Sequence, residues 1–157
     1  MQKITTFLWF DDKAEEAATF YTSIFARSRI TNVARYSAGA PRPEGSVMTV
    51  SFELDGQEFI ALNGGPHYHF TPAISLFVNC ETQAEVDAYW EKLGAGGKPI
   101  QCGWIEDRYG LCWQIVPRQL LEMLQDSDRA RANRTMQAML EMVKLDLVEL
   151  RRAYDGV

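Results

Sequence analysis

The feature that most constrains the fold of this chain is a half-length echo. The segment Phe7-Leu-Trp-Phe-Asp-Asp-Lys-Ala-Glu-Glu-Ala-Ala-Thr-Phe-Tyr21 is an apolar, strand-like run leading into an amphipathic helix. The same order returns in Ser75-Leu-Phe-Val-Asn-Cys-Glu-Thr-Gln-Ala-Glu-Val-Asp-Ala-Tyr-Trp90. A shift of 69 residues lays Phe20 and Tyr21 on Tyr89 and Trp90, and Glu16 on Glu85. Each copy is followed by short strand-like runs punctuated by glycine. A chain that repeats strand, helix and strands twice predicts two modules closing around a shared cavity.

Residue patterns fill in each copy. Ile4 to Phe10 is β-branched and aromatic, hence a strand, and Asp11 or Asp12 is placed to cap the helix that follows. Ala14, Ala17, Ala18, Tyr21 and Phe25 keep helical spacing. Ile30 to Tyr36 reads as a second strand, and Ala38 to Gly45 as a Pro/Gly loop able to rim a pocket. Met48, Val50, Phe52 and Leu54 alternate with Val47, Thr49, Ser51 and Glu53, as in a half-buried strand, and Asp55-Gly56 is a hairpin signal before the strand Phe59 to Leu62. After the linker Asn63 to Pro72, the second copy reads as strand 73–79, helix 82–93 and short strands near 98–105 and 111–116. From Gln119 to Tyr154 the pattern is helical throughout, with an apolar stripe of Met136, Met139, Leu140, Val143, Leu147 and Leu150.

One helix per four strands argues against a doubly wound nucleotide-binding sheet, because parallel strands need a crossover for each pair. The expectation is an α+β fold of paired βαβββ modules forming an open, cup-shaped barrel. Modules 1–63 and 73–117 make a domain 1–117, and 118–157 is a C-terminal helical extension. At 157 residues the chain is long enough for one well-buried domain.

Composition excludes several partners. The net charge of −5 leaves no electrostatic footprint for nucleic acid or an anionic membrane. The arginines at 129, 131 and 134 sit among acids as a solvated helix face. Three cysteines without CxxC spacing disfavour a disulfide framework or a zinc site. No run approaches a signal peptide or a membrane span, so a cytoplasmic protein with reduced thiols is expected. Gly94-Ala-Gly-Gly97 follows a helix instead of opening one, and reads as a C-cap and turn, not a phosphate loop.

Phe7-Leu-Trp-Phe with Ala14 to Tyr21, Leu62-Asn-Gly-Gly-Pro66, Cys102-Gly-Trp104 and Asp107-Arg-Tyr-Gly-Leu-Cys-Trp-Gln-Ile115 resemble the PhnB-like branch of the vicinal-oxygen-chelate superfamily. That superfamily includes glyoxalase I and the fosfomycin- and bleomycin-resistance proteins, and members of this branch often carry the label 3-demethylubiquinone-9 3-methyltransferase. The resemblance implies paired βαβββ modules, a cup-shaped cavity and usually a dimer. It also implies a divalent metal, but at the corresponding positions this chain has Thr5, Ala73 and Gln114. A methyl group cannot ligate, and a hydroxyl or amide oxygen is a weak donor for a transition metal. No metal and no cofactor are therefore expected. The methyltransferase label finds no glycine loop for S-adenosylmethionine near residue 11, where the chain reads Phe10-Asp-Asp-Lys-Ala14.

Candidate ligand-binding residues are Thr5, Trp9, Asn63, His67, His69, Cys102, Trp104 and Gln114. Alternation puts Thr5, Phe7 and Trp9 on one strand face, and Cys112 with Gln114 on one face of another. His67 and His69, two apart on an extended segment, point the same way and are exposed loop residues, contacts or acid–base groups for a substrate or anion, or, least favoured for want of a nearby carboxylate or thiolate, metal ligands. Cys102 has no nearby histidine to lower its pKa, and Asp107 and Gly110 read as a structural turn. The reading is a metal-free protein that binds a small, largely apolar or aromatic molecule, as a homodimer braced by the C-terminal helix. The alternatives are a lyase- or isomerase-type enzyme of the same fold using His67, Gln114 or Cys102, and the methyltransferase of the label.

Overall fold

The computed structural model describes residues 2–157. The chain divides into two compact units, Met1–Phe70 and Thr71–Val157. Each is built as one βαβββ module, so the architecture is α+β, as the echo predicts.

In the first unit, β1 (Thr6–Phe10), α1 (Ala14–Ile24), β2 (Arg29–Arg35), β3 (Val47–Leu54) and β4 (Gln57–Asn63) form a mixed sheet in the order β1-β4-β3-β2. β1 runs parallel to β4, and the other pairs are antiparallel. The helix-covered face holds Leu8, Phe10, Val50, Phe52, Leu54, Phe59 and Ala61, all buried. The stripe Ala14, Ala17, Ala18 and Tyr21 lies fully buried against it. Small side chains at three of these four positions let α1 sit close to the sheet. Tyr21 and Phe52 then contribute on the order of 1.5–3 kcal/mol each by burial. Asp55 (φ 49°) and Gly56 (φ 80°) are both left-handed, the backbone of the expected two-residue hairpin.

The cap of α1 differs from expectation. Asp11 and Asp12 stay exposed, and Lys13 at the N-cap position makes no side-chain cap bond. Instead Ala14 N donates to Asn63 Oδ1 at 2.8 Å. The parallel register explains this, because it seats Asn63 opposite Phe10, just before the helix begins.

In the second unit, β5 (Ser75–Cys80), α2 (Gln83–Gly94), β6 (Lys98–Pro99), β7 (Trp104–Glu106) and β8 (Cys112–Pro117) repeat the plan, in sheet order β5-β8-β7-β6. Here α2 is capped locally: Thr82 accepts from Glu85 N at 3.2 Å, and Glu85 Oε2 reaches back to Glu81 N at 2.6 Å. Gly94 closes α2 and Gly97 N returns to Gly94 O at 3.0 Å, the expected helix end and turn.

The C-terminal segment is not one helix. It divides into α3 (Arg118–Leu124), α4 (Arg129–Leu140) and α5 (Leu147–Asp155). Asp128 accepts from Ala130 N and Arg131 N, and Asp146 from Glu149 N, so each break is an aspartate starting a new helix. The apolar stripe divides with it. Leu150 is buried in a cluster with Val116, Leu120, Met123 and Leu145, and Met139 and Leu147 pack around them. Met136, Leu140 and Val143 remain exposed.

Candidate functional site

On each sheet the residues opposite the helix carry the candidate chemistry. In the first unit, register and alternation align Trp9, Leu62 and Thr49 in one row and Phe7, Ile60 and Ser51 in the next. Phe7 is 54% exposed although it is a large apolar side chain on a strand. Thr5 lies just before β1, half-buried. Trp9 is half-buried and fixed: its indole N–H donates to Gly65 O at 2.9 Å, and its ring meets Tyr68 edge-on at 4.9 Å. The Gly64-Gly65 pair makes that packing possible. A β-carbon on Gly64 would lie 2.4 Å from Trp9 Cζ2, and Gly65 is left-handed at φ +96°.

Asn63 proves to be a structural residue. Its Oδ1 caps α1, its Nδ2 donates to Val47 O at 3.2 Å, and its own carbonyl accepts from Tyr36 Oη at 2.7 Å. With the side chain at 7% exposure, the amide is committed to the backbone. His67 and His69 are exposed on the turn after it. Sequence reasoning did not single out Arg42. This half-buried arginine, in the Pro/Gly loop, comes to Gly65 alongside His67: a β-carbon at Gly65 would lie 3.3 Å from Arg42 Nη1 and 3.7 Å from His67 Cδ2.

In the second unit Phe77, Gln114 and Trp104 form one row across β5, β8 and β7. Phe77 is 43% exposed, and Gln114 and Trp104 are half-buried. Gln114 Nε2 donates to Ser75 Oγ at 2.9 Å. The strand starts at Ser75, not at residue 73, so Ser75 is the residue that Gln114 engages, and Ala73 is exposed in the turn before it. Cys102 is not at a strand edge. It occupies a left-handed turn (φ 57°) whose N–H donates to Met142 O at 2.8 Å, and Gly103 N donates to Val143 O at 2.8 Å. The Cys102-Gly103 turn thus holds the corner between α4 and α5.

Two further groups are structural. Asp107, at 2% exposure, accepts from Tyr109 N at 2.8 Å, Leu111 N at 3.1 Å and Trp113 Nε1 at 2.8 Å, which fixes the β7–β8 turn. Burial raises the thiol pKa of Cys80 to about 11 and pushes that of Cys112 up, helped in each case by nearby carboxylates. Neither thiol is a competent nucleophile near neutral pH.

The donor sets do not fit the groups that the fold family implies. Thr5 in the first unit offers a neutral hydroxyl oxygen, and Ser75 and Gln114 in the second offer a hydroxyl and an amide oxygen, each a weak donor for a transition metal. Among the described residues no group of three His, Cys, Asp or Glu converges to hold a metal ion. For S-adenosylmethionine, the turn after β1 carries Asp11, Asp12 and Lys13 with no glycine, on a mixed sheet instead of a doubly wound one.

Comparison with known proteins places the chain. The family model described as 3-demethylubiquinone-9 3-methyltransferase matches residues 2–116. A PhnB protein from Bacillus cereus is 42% identical, over 74% of this chain and 99% of that one, with a TM-score of 0.68. The chain belongs to this PhnB-like family, whose model carries the 3-demethylubiquinone-9 3-methyltransferase description. Two more distant structures share the fold. A Pseudomonas aeruginosa protein is 17% identical over 74% of this chain and 98% of its own, with a TM-score of 0.61. The fosfomycin resistance protein FosX from Listeria monocytogenes is 16% identical over 80% and 98%, with a TM-score of 0.54. No curated protein matches the chain. The matched region ends at residue 116, just before α3, and takes in both βαβββ modules up to the last strand. Among the described residues no helix is long and apolar enough to cross a membrane.

Proposed function

We propose that this PhnB-like protein binds a small, largely apolar or aromatic molecule on its uncovered sheet residues, without a transition metal. The observation that carries the reading is the burial pattern. Each sheet completes its core on the helix side, yet leaves a phenylalanine on the opposite side, Phe7 at 54% and Phe77 at 43% exposure. Exposed aromatics beside oriented neutral groups, here the Trp9 indole and the Gln114–Ser75 pair, are the composition of a small-molecule site. The high thiol pKa values of Cys80 and Cys112 and the hydrogen-bonded Gln114 amide weigh against nucleophilic or acid–base chemistry by these groups.

Titration with 1-naphthamide, a neutral aromatic probe, followed by amide and indole NMR shifts, tests the reading. Shifts at Phe7, Trp9, Phe77 or Gln114 are expected, and a Phe7→Asp or Phe77→Asp exchange should weaken binding about tenfold. No shift at any of them, or near-stoichiometric zinc, nickel or iron after dialysis, overturns it. We propose further that the chain is a homodimer. The exposed Met136, Leu140, Val143 and Val148 of the C-terminal segment support this, and a monomer mass in light scattering would refute it.

A further inference from the structure

The geometry points to an anion-binding end on the first unit, formed by Arg42 and His67 beside Gly65, that selects ligands with an aromatic body and a carboxylate head. This rests on the small-molecule reading above and specifies its ligand class. Three observations converge. Arg42 is half-buried, and its guanidinium makes no ion pair or hydrogen bond among the described residues. Most of the other arginines engage a carboxylate or a carbonyl, as Arg27 does with Asp55, Arg29 with Glu53, Arg35 with Gly45 O and Arg118 with Glu81. A partly desolvated guanidinium left without an acceptor is a costly arrangement that a bound anion relieves.

The second observation is convergence. Arg42 Nη1 and His67 Nε2 would lie 3.3 and 3.9 Å from the same β-carbon position at Gly65, so both side chains occupy the space that glycine leaves open. Any larger residue there would meet both of them, and the left-handed φ of +96° adds strain against one. Third, an aromatic surface adjoins this end. Gly65 O holds the Trp9 indole, and Tyr68 stacks edge-on against that ring at 4.9 Å. A flat ring lying along Trp9 and Tyr68 extends a carboxylate toward Arg42, whose planar fork matches both of its oxygens. The acids Asp11 and Glu44 are exposed and make no ion pair with Arg42, so neither fills the place.

Paired titrations with 1-naphthoate and 1-naphthamide, which differ in the charge of one group, test the site. Naphthoate is expected to bind at least about tenfold more tightly, shifting the Gly64, Gly65 and Trp9 indole signals. Arg42→Gln should remove most of that preference and leave naphthamide binding unchanged, and His67→Gln should remove a smaller part. Equal affinity for the two probes, or an undiminished naphthoate preference in Arg42→Gln, overturns the anion site while the small-molecule reading stands. Failure of both probes to bind overturns both.

Discussion

Each unit has a glycine turn packed close against a side chain, and the two neighbours differ in kind. In the first, Gly64 is closed over by Trp9, a side chain of the same sheet whose indole also bonds to Gly65 O. In the second, Gly103 is closed over by Leu145, which arrives from the segment between α4 and α5. The strands differ in the same sense. β2 and β3 run for seven and eight residues, while β6 and β7 run for two and three. A duplicated plan has thus diverged: one copy keeps a broad sheet with an aromatic and cationic rim, and the other has a shortened sheet that holds the C-terminal helices. The lesson is that a repeat preserves topology more strictly than it preserves what each turn is for.

The largest expected effect breaks this comparison at the turns. A β-carbon on Gly103 would stand 2.8 Å from Leu145 Cδ1 and 3.1 Å from Ile115 O, on a backbone at φ +84°. Gly103→Val should therefore cost on the order of 3 kcal/mol or more, from strain and overpacking together. Limited proteolysis should then cut between α4 and α5 while the first unit stays intact. Gly64→Ala meets only the Trp9 ring, which can shift by giving up its one hydrogen bond to Gly65 O, and Gly64 has no left-handed backbone to strain, so a smaller loss of about 1–2 kcal/mol is expected, with a changed Trp9 indole signal. Equal thermal shifts with identical proteolytic patterns would show that the turns are not specialised.

The buried polar anchors sharpen the same contrast. Asp107 satisfies three donors in the second unit, and Asn63 bonds two backbone groups through its side chain in the first. Hydrogen bonds to an ionised acceptor are stronger, and removal leaves buried donors without partners. Asp107→Ala should thus cost about 3 kcal/mol and Asn63→Ala about 1–2 kcal/mol in urea unfolding. A reversed order would mean that the cap of α1, not the β7–β8 turn, limits stability.

Much of this fold is legible in the sequence, and particular residues show where legibility ends. The period-2 alternation through Val50, Phe52 and Leu54 and the Asp55-Gly56 turn are local signals, and both elements form where they predict. The start of β5 is legible only to within two residues, because the apolar run begins at Ile74 and pairing with β8, not composition, sets its first bonded residue. Asn63 looks from the sequence like a cavity residue, since nothing local reveals that a parallel register delivers it to the N-terminus of α1. The breaks before α4 and α5 did have a local signal in Asp128 and Asp146, outweighed by the regular apolar stripe. Arg42 lacked any signal, for a Pro/Gly loop says nothing about which distant turn its side chains reach.

The smallest expected effect concerns pH and the hold on the C-terminal helices. Lys144 Nζ donates to Asp87 Oδ1 at 2.6 Å, while Gln83 donates to the same oxygen at 3.0 Å and to Leu145 O at 3.0 Å. The hydrogen bond from Lys144, and then that from Gln83, lowers the Asp87 pKa below its usual value. Tyr154 Oη donates to Asp126, which with the Asp128 N–H lowers that carboxyl in turn. Both carboxylates are therefore stronger acids in the folded chain than in the unfolded one. Their contribution is complete above the unfolded value of about 4 and is lost as pH falls through the lower folded values. Stability of the C-terminal helices should decline as pH falls below about 4, and Asp87→Asn together with Asp126→Asn should flatten that decline. The effect stays small because both carboxylates face solvent, where water and salt screen the pairs. The apolar cluster of Val116, Leu120, Met123, Leu145 and Leu150 carries most of the docking. Urea midpoints of the wild type and the double variant across that range decide the matter: parallel acid slopes would show that packing alone holds the helices, and that the second unit's specialisation owes nothing to charge.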